Sequence, residues 1–290
     1  MPTNTESREP TRSDVIVNGL RLHYLDWGGD GPPIILLHAT GFLGRIYRPI
    51  AAALRAVGHV YTYDQRGHGD SERAAGENYG WDITASDLEG FIVAMGLKGV
   101  RGIGHSAGAT AMGAIASGRP DLLARAMLIE PIIFDSSTPD LRRPGELRER
   151  TLKRKRTFDS VAAMFANFEH KPPYNTWRKE ILRDYCEFGT RAIDGGKREL
   201  KCPPEVEARI YETSRAFDGL GYLDRCAAPL LVLFGEKSDA PGVLIADRVA
   251  AGAPHRRVVI VPDTTHFIPM EQPELIARMA VEFLGAGPGV

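Results

Sequence analysis

Apolar and polar positions alternate in blocks along this chain. Val15-Ile16-Val17 and Leu20-Arg21-Leu22-His23-Tyr24-Leu25 flank Asn18-Gly19. Two β-rich runs around Asn-Gly predict a hairpin with a tight primed turn. Pro33-Ile34-Ile35-Leu36-Leu37-His38 is a continuous apolar run stopped by Ala39-Thr40-Gly41. Strands buried on both faces, inside a mostly parallel sheet, read this way. Residues 49–57 predict a helix that stops at Gly58, since glycine closes helices readily. Then come a strand at 60–63, a helix at 81–95 ending at Gly96 and a strand at 99–104; a helix at 107–117 closed by Gly118 and a strand at 126–129 follow. Strand and helix in strict turn, with short Gly-rich joints, predict an α/β domain. Its sheet is mostly parallel and doubly wound, with helices on both faces.

The rhythm stops after Phe134. From about 135 to 224 there is no strand-like run, only charged and aromatic helical patches broken by Pro172-Pro173, Gly195-Gly196 and Pro203-Pro204. Alternation resumes with a strand at 230–234, a helix at 243–251, a strand at 257–261 and a helix at 273–284. The expected organisation is a polar, disordered tail at 1–12, a core made of 13–134 and 225–290, and a helical cap at 135–224. Such a cap would lie over the carboxyl ends of the strands, where ligands bind in sheets of this kind.

Composition narrows the classes. A chain of 290 residues, 43% hydrophobic, is long enough to bury a sizeable core without staples. Thirty-six Lys and Arg against 37 Asp and Glu leave a net charge of -1. That balance excludes the broad basic field by which proteins hold nucleic acid or anionic membrane. No run approaches 18 apolar residues, so no bilayer-spanning helix is expected. The first ten residues are polar and do not read as a signal peptide. Cys186, Cys202 and Cys226 are odd in number and lack metal-ligand spacing, which fits a reduced, cytoplasmic chain without a structural metal. The expected partner is a small-molecule substrate rather than nucleic acid or a membrane, and self-association into a homo-oligomer is left open.

Chemistry concentrates at Gly104-His105-Ser106-Ala107-Gly108. A strand runs directly into this Gly-x-Ser-x-Gly and a helix follows at once. Such a turn strains the serine, lifts its hydroxyl above the sheet, and needs glycines where Cβ atoms would collide. Serine is a weak nucleophile without a base to take its proton. Of the eight histidines, His266 alone lies just past the last strand, at the sheet edge that holds Ser106; it is the expected general base. His105 adjoins the serine, but its side chain should diverge at the turn. A carboxylate must orient the base. Asp239, after strand 230–234, is the first candidate, and Glu130, just past strand 126–129, is the alternative acid.

The order Ser106, Asp239, His266, together with His38-Ala39-Thr40-Gly41-Phe42 and Asp64-Gln65-Arg66-Gly67-His68-Gly69-Asp70-Ser71, resembles the α/β-hydrolase fold superfamily. The likeness runs from about residue 15 to 284 and is weakest in the cap. It implies an oxyanion hole built from the backbone N–H groups of Thr40 and Ala107. Ala39 stands where the superfamily usually has glycine, so a positive φ there would strain the loop by about 1 kcal/mol. The resemblance further implies a cofactor-free serine hydrolase of a small ester or lactone. Cleavage of an activated carbon–carbon bond by the same triad is the alternative, and a ligand receptor that has lost turnover is another. A serine at this turn excludes the members that use aspartate there to open epoxides or displace halide.

Three further patterns carry expectations. Asp64, Arg66 and Ser71 read as structural parts of a turn held by side-chain-to-backbone bonds. Lys153-Arg154-Lys155-Arg156 reads as a solvated helix face, because Glu146 and Glu149 stand four residues before Arg150 and Lys153. Phe158, Phe165, Phe168, Tyr174 and Trp177 should pack the cap, with Trp177, Phe165 and Phe168 also lining an acyl pocket.

Overall fold

The computed structural model describes residues 9–76, 78–133, 145–213, 219–252 and 255–286. Residues 1–8 of the expected tail, and the core-to-cap boundary at 134–135, lie outside the described residues. The first part of the core runs β1 (Thr11–Val17), β2 (Leu20–Gly28), β3 (Pro33–Leu37), α1 (Arg48–Leu54), β4 (His59–Tyr63), α2 (Trp81–Ala94), β5 (Val100–His105), α3 (Ala107–Gly118) and β6 (Leu123–Ile129). The segment expected to form a cap contributes α4 (Glu146–Leu152), β7 (Thr157–Phe158), α5 (Val161–Phe168), α6 (Lys179–Phe188), β8 (Thr190–Ala192), β9 (Arg198–Leu200) and α7 (Pro204–Thr213). The chain ends with α8 (Gly219–Arg225), β10 (Leu230–Gly235), α9 (Ala246–Ala251), β11 (Arg256–Val261), α10 (Ile268–Glu271) and α11 (Pro273–Gly285). Among the described residues no helix is long and apolar enough to cross a membrane.

Eight strands form one sheet in the order β1-β2-β4-β3-β5-β6-β10-β11. β2 is antiparallel to β1 and β4, and every other pairing is parallel. Asn18 and Gly19 join β1 to β2 with φ of 50° and 77°, the two positive values a primed turn requires. The continuous apolar run of β3 follows from its place inside the sheet. Ile34 and Leu36 pack toward α1 and α11, Ile35 and Leu37 toward α2 and α3, and all four are fully buried. Alternate side chains leave a strand on opposite faces, so a strand covered on both must be apolar throughout.

The cap departs from the sequence expectation in three ways. β7, β9 and β8 form a small antiparallel sheet where only helices were expected. Strands of two or three residues are too short for a period of two to register, and Gly195-Gly196, both at φ 73°, make the turn between β8 and β9. Second, α8 falls within the expected cap but packs on the core, with Leu223 in the same cluster as Met112 and Ile115 of α3. Third, the basic run lies beyond the end of α4. Arg154 turns inward, its side chain 22% exposed, to pair with Glu207 of α7 and donate to the hydroxyls of Tyr174 and Tyr185 at 3.1 and 3.0 Å. Those partners are distant in sequence, so local charge spacing gave no sign of them.

The loop after β4 is tied from inside, as its residue types require. Asp64 accepts the N–H groups of Gly44 at 2.8 Å and Asp70 at 2.9 Å, and the Ser71 hydroxyl donates to the Asp64 carbonyl at 2.5 Å. Arg66 grips Asp87 of α2 through two bonds of 2.5 and 2.6 Å, with side chains 9% and 2% exposed. Breaking such a pair leaves one buried charge uncompensated, at about 3–5 kcal/mol. Asp87→Ala is therefore expected to lower the urea-unfolding free energy by about that amount. A loss under about 1 kcal/mol would mean that water reaches Arg66 in the variant.

Candidate active site

β5 delivers Ser106 to the start of α3 with φ 54° and ψ -118°, a conformation that non-glycine residues rarely hold. The Ser106 N–H donates to the Ile129 carbonyl at 2.9 Å, so pairing with the neighbouring strand continues through the strained residue. The flanking glycines are obligatory. A Cβ on Gly104 would stand 2.5 Å from the Ala109 backbone, and one on Gly108 would stand 2.5 Å from the Leu37 carbonyl oxygen. Glu130 follows β6 in a similar conformation, at φ 53°. Its fully buried carboxylate accepts the Gly235 N–H at 2.5 Å, the Ser238 hydroxyl at 2.6 Å and His266 Nδ1 at 2.8 Å. With Nδ1–H donating to Glu130, the His266 lone pair lies on Nε2.

The carboxylate on His266 is thus Glu130, not Asp239. Asp239 is exposed in the loop after β10, beyond a turn at Glu236 and Lys237 that carries it past the sheet edge. Glu130 follows its strand without any intervening residue, as Ser106 does, and that was the available sequence signal. His266 stands on the same edge as the serine: its carbonyl accepts from His105 Nε2 at 2.8 Å, and the two imidazole rings are 5.4 Å apart. Among the described residues no hydrogen bond joins the Ser106 hydroxyl to His266. In unliganded sites such contacts are often long and tighten when substrate binds.

The loop after β3 exposes one amide by accounting for its neighbours. The Ala39 N–H donates to the Tyr47 hydroxyl oxygen at 3.3 Å, the Gly41 N–H to His68 Nε2 at 2.9 Å and the Phe42 N–H to the Ala39 carbonyl at 3.2 Å. Among the described residues the Thr40 N–H carries no such bond. Thr40 and Ala107 line one small cavity together with Gln65, His68, Tyr79 and Ile210. The positive φ of this loop falls on Gly41, at 83°, and not on Ala39, so the strain expected at the alanine does not arise. Gln65, His68, Tyr79 and Ile210 escaped the sequence reading as pocket residues. Ile210 comes from α7 of the cap, and no local pattern ties it to the loop after β3.

The three aromatic residues expected at the pocket pack among other side chains. Trp177 is wedged between Phe42 and Phe267, with ring centroids 5.1 and 5.7 Å away. Phe168 packs on Tyr174 and Phe158 at 4.3 and 5.6 Å. Phe165 lies under the guanidinium of Arg183 and the ammonium of Lys179, at 5.2 and 5.8 Å. None of them lines the cavity that holds Thr40 and Ala107. The continuous apolar path between cap and core claims Trp177 and Phe168 instead.

Comparison with known proteins gives a consistent picture. Residues 34–279 match the family model described as the alpha/beta hydrolase family. The 2-(acetamidomethylene)succinate hydrolase of Mesorhizobium japonicum is 24% identical over 262 residues, covering 89% of this chain and 90% of the relative. The N-formylmaleamate deformylase of Pseudomonas putida is 36% identical over 119 residues, 41% of this chain and 44% of the relative. Haloalkane dehalogenase 2 of Mycobacterium tuberculosis is 26% identical over 271 residues, covering 91% and 92%. Among solved structures, that of E-2-(acetamidomethylene)succinate hydrolase superposes with a TM-score of 0.82 at 23% identity, over 96% of this chain and 100% of the other.

Three buried histidines surround the site. Burial holds His38 well below the ordinary value of 6.5 and pushes His68 down to about 4 and His105 to about 3. Above about pH 6.5 they are neutral in both folded and unfolded chains. Below it the unfolded chain takes up protons that the folded chain refuses, and each histidine removes about 1.4 kcal/mol of stability per pH unit. Urea-unfolding free energy is therefore expected to fall from pH 6.5 to 5, with an uptake of about three protons on unfolding from these residues. A flat profile over that interval would show the imidazoles titrating alike in both states.

Proposed function

The chain belongs to the alpha/beta hydrolase family, and from that premise we propose that it is a serine hydrolase cleaving a small ester or lactone through an acyl-enzyme. One observation carries the reading: a serine held at positive φ shares a sheet edge with a histidine whose Nδ1 is bound to a buried carboxylate. The Ser106 hydroxyl attacks the carbonyl carbon while His266 Nε2 takes its proton. Glu130 keeps the imidazole in the reactive tautomer and stabilises the imidazolium. The Thr40 and Ala107 amides receive the oxyanion, each worth on the order of 3 kcal/mol in the transition state, and the start of α3 favours the same negative charge. His266 then protonates the leaving group, and water activated by the same histidine releases the acid.

A second reading, hydrolysis of an activated carbon–carbon or acyl–nitrogen bond, draws support from the similarity to the 2-(acetamidomethylene)succinate hydrolase and the N-formylmaleamate deformylase. Only the leaving group changes, so the same acyl-serine cycle serves. The similarity to haloalkane dehalogenase 2 does not extend to dehalogenation here. Displacing halide with a serine would leave an ether, which has no carbonyl for water to attack.

A fluorophosphonate probe is expected to label the wild type and not Ser106→Ala; an unlabelled wild type would favour a ligand receptor. Turnover of esters, lactones and vinylogous diketones, compared side by side, separates the two hydrolytic readings by the class with the highest kcat/KM. Glu130→Gln is expected to lower turnover by roughly 10²- to 10⁴-fold, while Asp239→Asn stays within a few-fold of wild type. The reverse pattern would return the acid role to Asp239.

A further inference from the structure

The proposed oxyanion donors and base come from three separate loops: Thr40 after β3, Ala107 after β5, and His266 after β11. A displacement of about 1 Å among such groups can reduce rate by about 10²-fold. One buried side-chain path touches all three loops. The Ala39 N–H donates to the Tyr47 hydroxyl oxygen at 3.3 Å, that hydroxyl lies 2.6 Å from His105 Nδ1, and His105 Nε2 lies 2.8 Å from the His266 carbonyl. Tyr47 and His105 are 1% and 0% exposed.

The direction of every bond follows from chemistry. A carbonyl oxygen only accepts, so His105 Nε2 carries the proton. A neutral imidazole has a single N–H, so Nδ1 accepts and Tyr47 donates to it. The Tyr47 oxygen is then open to accept from Ala39. One proton arrangement satisfies the whole chain, and burial, which pushes His105 down to about 3, keeps the imidazole neutral near neutral pH. The side chain of His105 diverges from the serine beside it, as a sharp turn requires, and its two nitrogens join the other two loops.

We propose that Tyr47 and His105 are positioning residues, whose hydrogen-bonded path from the Ala39 amide to the His266 carbonyl holds the oxyanion loop, the nucleophile turn and the base loop in register. The inference rests on the serine-hydrolase reading. Neither side chain is assigned contact with the reacting atoms: Tyr47 acts through the backbone of Ala39, and His105 through that of His266. Because Ala39 precedes Thr40 directly, fixing its amide aims the next N–H toward the cavity.

The test uses the purified full chain, p-nitrophenyl acetate as ester and a fluorophosphonate as probe. Tyr47→Phe is expected to slow both labelling and kcat by about 10- to 100-fold, with KM within about twofold. His105→Gln, which places an amide N–H near the former Nε2 but offers Tyr47 no aligned acceptor, should fall in the same range. The double variant should be no slower than the slower single one, because both substitutions cut the same link. Rates that multiply in the double variant, or a folded Tyr47→Phe within twofold of wild type in kcat, would overturn the proposal. Should His105→Gln fail to fold, Tyr47→Phe alone decides, read on kcat and on labelling. Labelling that persists in Ser106→Ala, or is absent from wild type, would sink the serine reading and this inference with it. Loss of labelling in Ser106→Ala beside an unimpaired Tyr47→Phe would sink the relay alone.

Discussion

Parallel pairing of β3, β5, β6, β10 and β11 forces their carboxyl ends onto one edge of the sheet, and the candidate chemistry depends on that constraint. Each of these strands hands its last backbone groups to a loop at the same rim: Thr40 after β3, Ser106 after β5, Glu130 after β6, Ser238 after β10 and His266 after β11. Residues separated by more than a hundred positions thereby come within hydrogen-bond reach, as Glu130 and His266 do at 2.8 Å. A register slip of one residue between β5 and β6 would turn Glu130 to the other face and leave His266 without its carboxylate.

Among the described residues, Ser106, Glu130 and Asp263 hold positive φ at this rim without being glycine, and the first two are the serine and the carboxylate of the candidate site. Such backbone costs on the order of 1–3 kcal/mol and persists only where surrounding structure over-determines it. Here the sheet supplies the restraint: the Ser106 amide bonds the Ile129 carbonyl at 2.9 Å, and the Glu130 amide bonds the Leu233 carbonyl at 2.8 Å. Both therefore stay paired to a neighbouring strand while their side chains turn toward the loops. The neutral histidines complete the restraint. His68 accepts from Gly41, and His38 accepts the Gln65 N–H at 2.9 Å, so the loop after β3 is bonded to the loop after β4 along its length.

The cap is joined to this machinery by aromatic and ionic contacts. Trp177 sits between Phe42, in the loop after β3, and Phe267, next to His266. The Arg154–Glu207 pair stands beside Gly41, where a Cβ would meet the Glu207 carboxylate at 3.0 Å. Arg48 of the core holds Asp184 of the cap at 2.8 Å. These contacts make the cap part of the structure that shapes the cavity, and Ile210 is its contribution to the lining.

The sequence alone determined the core elements, the strand-to-helix serine and the histidine at the last strand's edge. Those features arise from local physics: runs buried on both faces are apolar, glycines permit a turn that Cβ atoms would block, and a parallel strand points its carboxyl end one way. Tertiary structure decided which carboxylate meets His266: Asp239 and Glu130 both follow a strand, Glu130 directly, and the path of the backbone beyond each strand brings Glu130 alone to the imidazole. It also turned Arg154 inward, moved Trp177, Phe165 and Phe168 away from the cavity, and joined Tyr47 to His105. For Glu130, Arg154, Trp177 and Tyr47 the partner lies far along the chain, and spacing within a segment carries no information about which distant group will stand opposite.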